Sequence, residues 1–453
     1  MKRFLLLLIA IHLTFAWAQT REDILPALAP PVILDGVRAE MRQPGFWISR
    51  HPYPDSLLMS PSAIEAFNSR IRRSFGTVTA IDQHSTSIPG RSIRNQINYL
   101  HNNAKGMRLY DATGNNLSTA YWAELARLEN SSAIRGNLPV RFAIASSFAN
   151  QRLVPTMDNL NKEPGDIYFD EIQNSGYDIG TPIVLYHNSR DGAWAFGATS
   201  VSSGWFRLRD LAIVSRREWQ NHQRAQSFIV VLADKADLWR DASALDYLGG
   251  VRMGTRFEYL GESGDYYKLR LAIRQENGSG AMQEGYILRS DARIGYLPYT
   301  VRNAYNQAFK MLNHRYGWAD INGDWDCSSM MIHIFACFGF RLPRNGASQV
   351  AASRVVHEFA PAESDSLRYA NISRKAVPGI SLLHLRGHIV LYLGEVDGTH
   401  YIIHNTSGYR VPIDDKSQYI YSIKGTVVST MELGAGSDKR SLIKRMLTLS
   451  VVR

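Results

Sequence analysis

The apolar positions of this chain fall into stretches of different period. An apolar run, Phe4–Trp17, comes first. Residues 19 to about 50 carry Pro26, Pro30, Pro31 and Pro44 and predict an extended arm. Ser60-Pro61 places a capping residue before a first-turn proline, and Ile64, Phe67 and Ile71 follow at helical spacing. Similar patterns near Arg94–Leu100 and Thr119–Leu128 make residues 40–130 a mainly helical segment. From about 134 the period shortens. Val140–Ile144, Thr181–Tyr186, Trp194–Thr199 and Gly204–Leu208 read as strands, with turn signals such as Arg190-Asp191-Gly192 between them. A second set, Phe228–Leu232, Gly254–Leu260, Tyr266–Leu271 and Gly285–Leu288, repeats the texture. Two units of five or six strands fit two small barrels. Helical pattern returns at Tyr299–Tyr316, then a buried helix runs through Ser329–Phe340, interrupted only by His333. Apolar strands His388–Leu393 and Tyr401–His404 complete an α+β domain, with a basic tail of Lys439, Arg440, Lys444 and Arg445.

Length changes the picture first. At 453 residues the chain exceeds one core and divides into about three or four units of ~100–150 residues. The expected boundaries are 1–18 for a signal peptide, 19–130 for the arm and helices, 131–220 and 221–295 for the barrels, and 296–453 for the last domain. Lys2-Arg3, the run to Trp17 and the small-residue site Ala16-Trp17-Ala18 form a secretory signal, with cleavage expected after Ala18. No Cys follows that site, which excludes a lipid-anchored lipoprotein, and no later stretch predicts stable membrane insertion. A periplasmic or secreted protein is expected.

The chain has two Cys, Cys327 and Cys337. On one helix, ten residues separate them by ~15 Å, whereas a disulfide needs Cα atoms within ~7 Å. Unpaired thiols in an oxidising compartment point to chemistry for at least one. Cys337, among Phe335, Phe338 and Phe340, belongs to the core. The formal charge of +10 becomes +8 once Lys2 and Arg3 are removed, which favours anionic partners; nucleic-acid motifs are absent and that partner is discounted.

Cys327 follows Asp326 at the start of the buried helix, where a cap and the positive helix end would stabilise a thiolate. His388 begins one apolar strand and His404 ends the next. A connecting loop centred near Val396 would set the two imidazoles directly opposite on one face. One ring then takes the thiol proton and the other fixes its tautomer. A metal site is the competing explanation for Cys and two His, but no second Cys, HExxH or close carboxylate pair completes it. No metal and no cofactor is expected.

Around these residues, segment 310–410 resembles the NlpC-type bacterial cell-wall cysteine peptidases. The matching pieces are Tyr316-Gly317-Trp318, Asp326-Cys327-Ser328, Leu342-Pro343-Arg344 with Gln349, Gly387-His388 and His404-Asn405. Upstream, FDEIQ at Phe169–Gln173, the stretch 180–194 and Gly204-Trp205 are similar to one subgroup, in which a helical segment and two bacterial SH3-like barrels precede the peptidase. The resemblance implies a papain-like domain that cleaves the γ-D-glutamyl–diaminopimelate amide of murein stem peptides. It implies Cys327, His388 and His404 as the triad, and Asp326 and Ser328 at a free N-terminal L-Ala. Tyr316 is a candidate oxyanion donor. Arg344 is a candidate partner of a substrate carboxylate, though an internal salt bridge suits it better. Asp170, Trp194 and Trp205 are candidates for a cleft wall supplied by the first barrel. The family pattern has a small hydroxyl residue where this chain has Gly346. Two other functions stay open: a non-catalytic wall-binding protein, and a Cys-dependent acyl or amide transferase.

Overall fold

Ser60 accepts a hydrogen bond from the Ala63 amide and Pro61 takes the first helical position, so helix α1 (Pro61–Ser74) starts where capping chemistry places it. The computed structural model describes residues 32–75, 81–166, 168–414 and 417–453. The expected leader, its cleavage site and residues 19–31 of the proline arm lie outside these residues. Within them the arm is not extended: Ala39–Arg42 and Pro44–Ile48 make short helical turns. Trp47, buried, packs 5.6 Å from Tyr401, and that apolar anchor favours local coiling over an open arm.

Helix α1 is followed by α2 (Gly90–Gly106) and α3 (Thr119–Glu129), but the three share no common core. Phe67 of α1 meets Phe340 edge-on at 5.1 Å, and Asn68 Nδ2 donates to the Gly339 carbonyl at 2.9 Å, so α1 belongs to the last domain. Ile93 and Ile97 of α2 instead join the core of the first barrel. No stripe is wide enough to make its own interior: α1 is buried apart from the other two, while α2 and α3 meet through Ala104, Trp122 and Leu125, with His101 edge-on to Trp122 at 5.8 Å.

The first sheet has strands β1 (Arg141–Ala145), β2 (Ala149–Arg152), β3 (Gln173–Tyr177), β4 (Pro182–Asn188), β5 (Trp194–Ala198), β6 (Ser203–Arg207) and β7 (Leu211–Val214). Their spatial order is β3-β2-β6-β5-β4-β1-β7. Helix α4 (Arg216–Arg224), closed by a Ser215–Glu218 capping box, leads to the second sheet. That sheet contains β8 (Phe228–Val231), β9 (Lys235–Trp239), β10 (Tyr247–Arg252), β11 (Arg256–Ser263), β12 (Tyr266–Arg274), β13 (Gly280–Leu288) and β14 (Ala292–Ile294). Its order, β10-β9-β13-β12-β11-β8-β14, reproduces the first strand for strand. The two units are thus one antiparallel SH3-like architecture used twice.

The last domain opens with α5 (Val301–Lys310) and the central helix α6 (Cys327–Ala336), then α7 (Gly346–Ala352), β15 (Arg354–Glu358) and α8 (Asp365–Lys375). Strands β16 (Ser381–Leu385), β17 (His388–Val396), β18 (Thr399–Pro412), β19 (Gln418–Thr430) and β20 (Met446–Val451) finish it, in sheet order β15-β20-β16-β17-β18-β19. Met330, Met331, Ile334 and Phe335 are fully buried, which places α6 inside the domain. The second barrel braces it. His333 Nδ1 bonds the Met253 carbonyl at 2.6 Å, and Gly254, at φ +79°, brings its backbone so close that a Cβ would stand 2.7 Å from that of Ala336. This is a papain-like arrangement, a Cys-led helix on an antiparallel sheet, in an α+β chain with two preceding SH3-like barrels.

The β17–β18 turn is Asp397-Gly398, both with positive φ (52° and 77°), as a tight hairpin of primed type requires. With a register shift at Gly394, Leu391 pairs with Ile403. Continued, that register sets Val390 against His404, so His388 is its diagonal neighbour and not its direct partner. A loop centred at Val396 would have needed the shorter register.

Candidate active site

Cys327 is the first residue of α6, and Asp326 caps it. Asp326 Oδ1 accepts the amides of Ser328 and Ser329 at 3.0 and 2.8 Å, while Ser329 Oγ accepts the Asp326 amide at 2.9 Å. This reciprocal cap fixes where the thiol sits. Cys327 is partly exposed. Its sulfur approaches the Ile389 amide, next to His388, and burial pushes the thiol up to about 12, the Asp326 charge adding to the effect. The structure therefore holds a neutral thiol, not the helix-stabilised thiolate expected from position alone. One helix end is outweighed by desolvation and a carboxylate one residue away.

His388, the first residue of β17, is half-buried, and His404 is only 1% exposed. His388 Nε2 and His404 Nδ1 stand 2.8 Å apart. Burial, then the Arg445 charge, brings His388 down to about 4, and burial, with the neighbouring His388, holds His404 well below its usual value. Both rings are neutral. On the far side, His404 Nε2 lies 3.1 Å from Ser429 Oγ, whose proton goes to the Thr430 carbonyl at 3.1 Å. All these bonds are satisfied together in one proton arrangement. Ser429 gives its proton away and so accepts from His404 Nε2–H; His404 Nδ1 is bare and accepts from His388 Nε2–H. That leaves His388 Nδ1 with an open lone pair.

Behind the cap lies a buried ion network. Arg344 reaches Asp326 Oδ2 at 2.8 Å, Asp320 Oδ2 at 3.3 Å, Ser328 Oγ at 2.9 Å and Ser175 Oγ of the first barrel at 2.9 Å. Arg252 of the second barrel pairs with Asp178 at 2.9 Å and with Asp320 at 3.3 Å. Arg344 is thus an internal ion-pair residue, its pKa raised by Asp326 and Asp320 against the burial that opposes it. Asp320 enters this network from a left-handed turn, with Ala319 at φ 49° and Asp320 at 65°. Such conformations cost about 1–2 kcal/mol per residue, which the ion pairs offset.

Tyr316 is half-buried with no hydrogen bond to its hydroxyl among the described residues. Burial raises its pKa well above the usual value, and the neighbouring Cys327 and Asp326 act in the same direction. Phe169 of the first barrel packs 5.9 Å from Tyr316 and 5.4 Å from Trp318, so the barrel does wall the cleft, but through Phe169. The three residues expected there lie elsewhere. Asp170 is buried in an ion pair with Arg152, and Trp194 and Trp205 (7% and 0% exposed) sit in the barrel core. Aromatic side chains on short barrel strands satisfy the barrel's own interior first. Gly346, at the start of α7, faces β17 so closely that a Cβ would stand 3.0 Å from that of Ile389, which explains why no hydroxyl side chain occupies the position. Among the described residues, no group of three or more His, Cys, Asp or Glu could hold a metal ion, and no helix is long and apolar enough to cross a membrane.

Sequence reasoning missed Ser429, Asp320 and Phe169. Ser429 carried no signal, Asp320 depends on a tertiary ion network, and Phe169 stood one residue from the acidic residue chosen.

Comparison with known proteins places this geometry. The profile of the SH3 domain of SH3b1 type matches residues 155–207, inside the first sheet. No curated protein matches the sequence. Among solved structures, an NlpC/P60 endopeptidase from Photobacterium damselae subsp. piscicida is similar over 94% of this chain and 98% of its own, with a TM-score of 0.74 at 17% identity. An NlpC/P60 family protein from Bacillus cereus ATCC 10987 is similar over 68% of this chain and 98% of its own, with a TM-score of 0.49 at 14% identity. The class defined here is a papain-like fold behind SH3-like barrels. In particular, the chain has the fold of the Photobacterium NlpC/P60 endopeptidase along nearly its whole length.

Proposed function

We propose that this protein is a cysteine endopeptidase that hydrolyses the γ-D-glutamyl–diaminopimelate amide of murein stem peptides. The reading rests above all on the open Nδ1 of His388, whose ring His404 orients at 2.8 Å, and on the helix-start thiol of Cys327, which meets the amide of Ile389, the residue after His388. Cys327 Sγ attacks the γ-carbonyl carbon as its proton passes to His388 Nδ1. Asp326 already takes the Ser328 and Ser329 amides, so the Cys327 amide and the Tyr316 hydroxyl serve as donors to the oxyanion. Collapse breaks the C–N bond, and His388 gives its proton to the leaving amine. Water then cleaves the thioester with His388 as base, restoring the thiol.

A free N-terminal L-Ala suits the acyl side. The network of Asp178, Asp320 and Asp326 against Arg252 and Arg344 holds three carboxylates and two guanidiniums, so one negative charge is left for a substrate ammonium. Ser328, bonded to Asp326 and Arg344, stands at the same place. Residues 1–18 serve as a secretion signal in this reading, and the substrate is met in the periplasm or outside the cell. The barrels serve as walls and as contacts to peptidoglycan.

Mature protein incubated with free L-Ala-γ-D-Glu-diaminopimelate peptides, and separately with intact sacculi, should release L-Ala-γ-D-Glu from the free peptides, detectable by mass spectrometry. Cys327→Ala should abolish the release. Sacculus binding with cleavage of neither the free peptides nor the sacculi by the unaltered protein would refute the peptidase, and product joined to an added amine would show a transferase.

A further inference from the structure

One wall of the cleft, on the side of the imidazoles, carries charge of a single sign. His388 and His404 open onto a cavity of about 330 Å³ that is also lined by Arg386, Arg410, Lys439, Arg440 and Arg445. No Asp or Glu among the described residues lines it. Arg410 is answered by Asp438 at 3.1 Å. Arg386, Arg440 and Arg445 have no ion pair or side-chain hydrogen bond among the described residues; the first two are exposed and Arg445 is half-buried. A half-buried guanidinium beside other guanidiniums, with no counter-ion, costs stability and has no structural return. Arg440 is moreover held at φ 63°, in the left-handed region that a non-glycine residue enters at a cost. Unpaired positive charge concentrated in a cleft is what anionic groups would find when they enter it.

The side matters. Asp326, Ser328 and Arg344 do not line this cavity, whereas His388 does. In the function proposed above, on which this inference rests, His388 protonates the leaving amine, so the amine fragment lies on the imidazole side. We propose that Arg386, Arg440 and Arg445 form a carboxylate-binding subsite for the leaving fragment, selecting a diamino acid that carries its own side-chain carboxylate. A lysine at the same place offers the same amide and the same side-chain ammonium but lacks the side-chain carboxylate. Its side-chain end would meet the guanidiniums with like charge and no carboxylate beside it, a repulsive element that adds to the lost attraction.

The test compares L-Ala-γ-D-Glu-meso-diaminopimelate with L-Ala-γ-D-Glu-L-Lys. The full-length mature enzyme should prefer the first in kcat/KM by about tenfold or more, the effect of a charge-assisted pair. The ratio should shrink with added salt and fall toward one in Arg445→Gln and Arg440→Gln, mostly through KM of the diaminopimelate substrate. Equal kcat/KM values, or variants that slow both substrates by the same factor, would overturn the subsite. Calorimetric binding of the two peptides to Cys327→Ala protein separates this from the chemistry. Preferential binding of the diaminopimelate peptide supports the subsite even if turnover fails, and equal affinity refutes it even if turnover succeeds.

Discussion

His404 Nε2 lies 3.1 Å from Ser429 Oγ, and that serine commits its own proton to the Thr430 carbonyl. The relationship propagates forward through two rings and ends at His388 Nδ1, the atom that accepts the thiol proton in the proposed mechanism. A serine two side chains removed thereby decides which nitrogen of the His388 ring is bare.

Ser429→Ala removes the acceptor that orients His404. The expected loss in kcat is on the order of 3- to 10-fold, the worth of one neutral hydrogen bond, with KM nearly unchanged. Steady-state kinetics on the L-Ala-γ-D-Glu-diaminopimelate peptide measure it; an unchanged kcat would remove Ser429 from the relay.

The thiol at about 12 and the imidazole at about 4 are both neutral between those limits. His388 must be unprotonated to accept, so kcat/KM should fall as pH drops through about 4 and stay level across neutrality. Alkylation of Cys327 by iodoacetamide in the free enzyme should keep climbing toward pH 12, because the thiolate fraction keeps growing. A plateau reached by pH 7 would instead reveal a preformed thiolate–imidazolium pair.

Arg344→Ala leaves Asp320 and Asp326 without their shared partner in a buried place. Unfolding free energy should fall by about 3–5 kcal/mol, as for other broken buried pairs. Arg344→Lys should recover little of it, since one ammonium cannot reproduce the fork that bridges two carboxylates, Ser175 and Ser328. Urea unfolding of the three proteins decides the matter.

Gly346→Ser would restore the hydroxyl of the family pattern but must displace Ile389, whose Cβ would be 3.0 Å away on a buried strand. Destabilisation of about 1–3 kcal/mol is expected, with reduced kcat because His388 precedes Ile389. A variant as stable and active as the parent would show that α7 can move freely.

Helix α6, the strand runs of both barrels, the two β17 and β18 imidazoles and the Asp326 cap were legible in the chain itself. Each follows from local rules: capping residues, apolar periodicity and turn chemistry act over a few residues and leave their mark in order. Arg344 too was readable as an internal partner, because a guanidinium near a capping carboxylate has few better options.

What the fold alone decided lies between distant segments. The register of β17 on β18 depended on a bulge at Gly394 and a turn at Asp397-Gly398, which moved the imidazoles from opposite to diagonal. Trp194 and Trp205 went to the barrel interior because burial is a property of the assembled sheet and not of the residue. The charge state of Cys327 was reversed for the same reason, since desolvation depends on every group packed around the sulfur. Sequence could nominate the reacting atoms; only three-dimensional packing could set which of them hold protons, because solvation and hydrogen-bond closure are summed over neighbours that the linear order keeps apart.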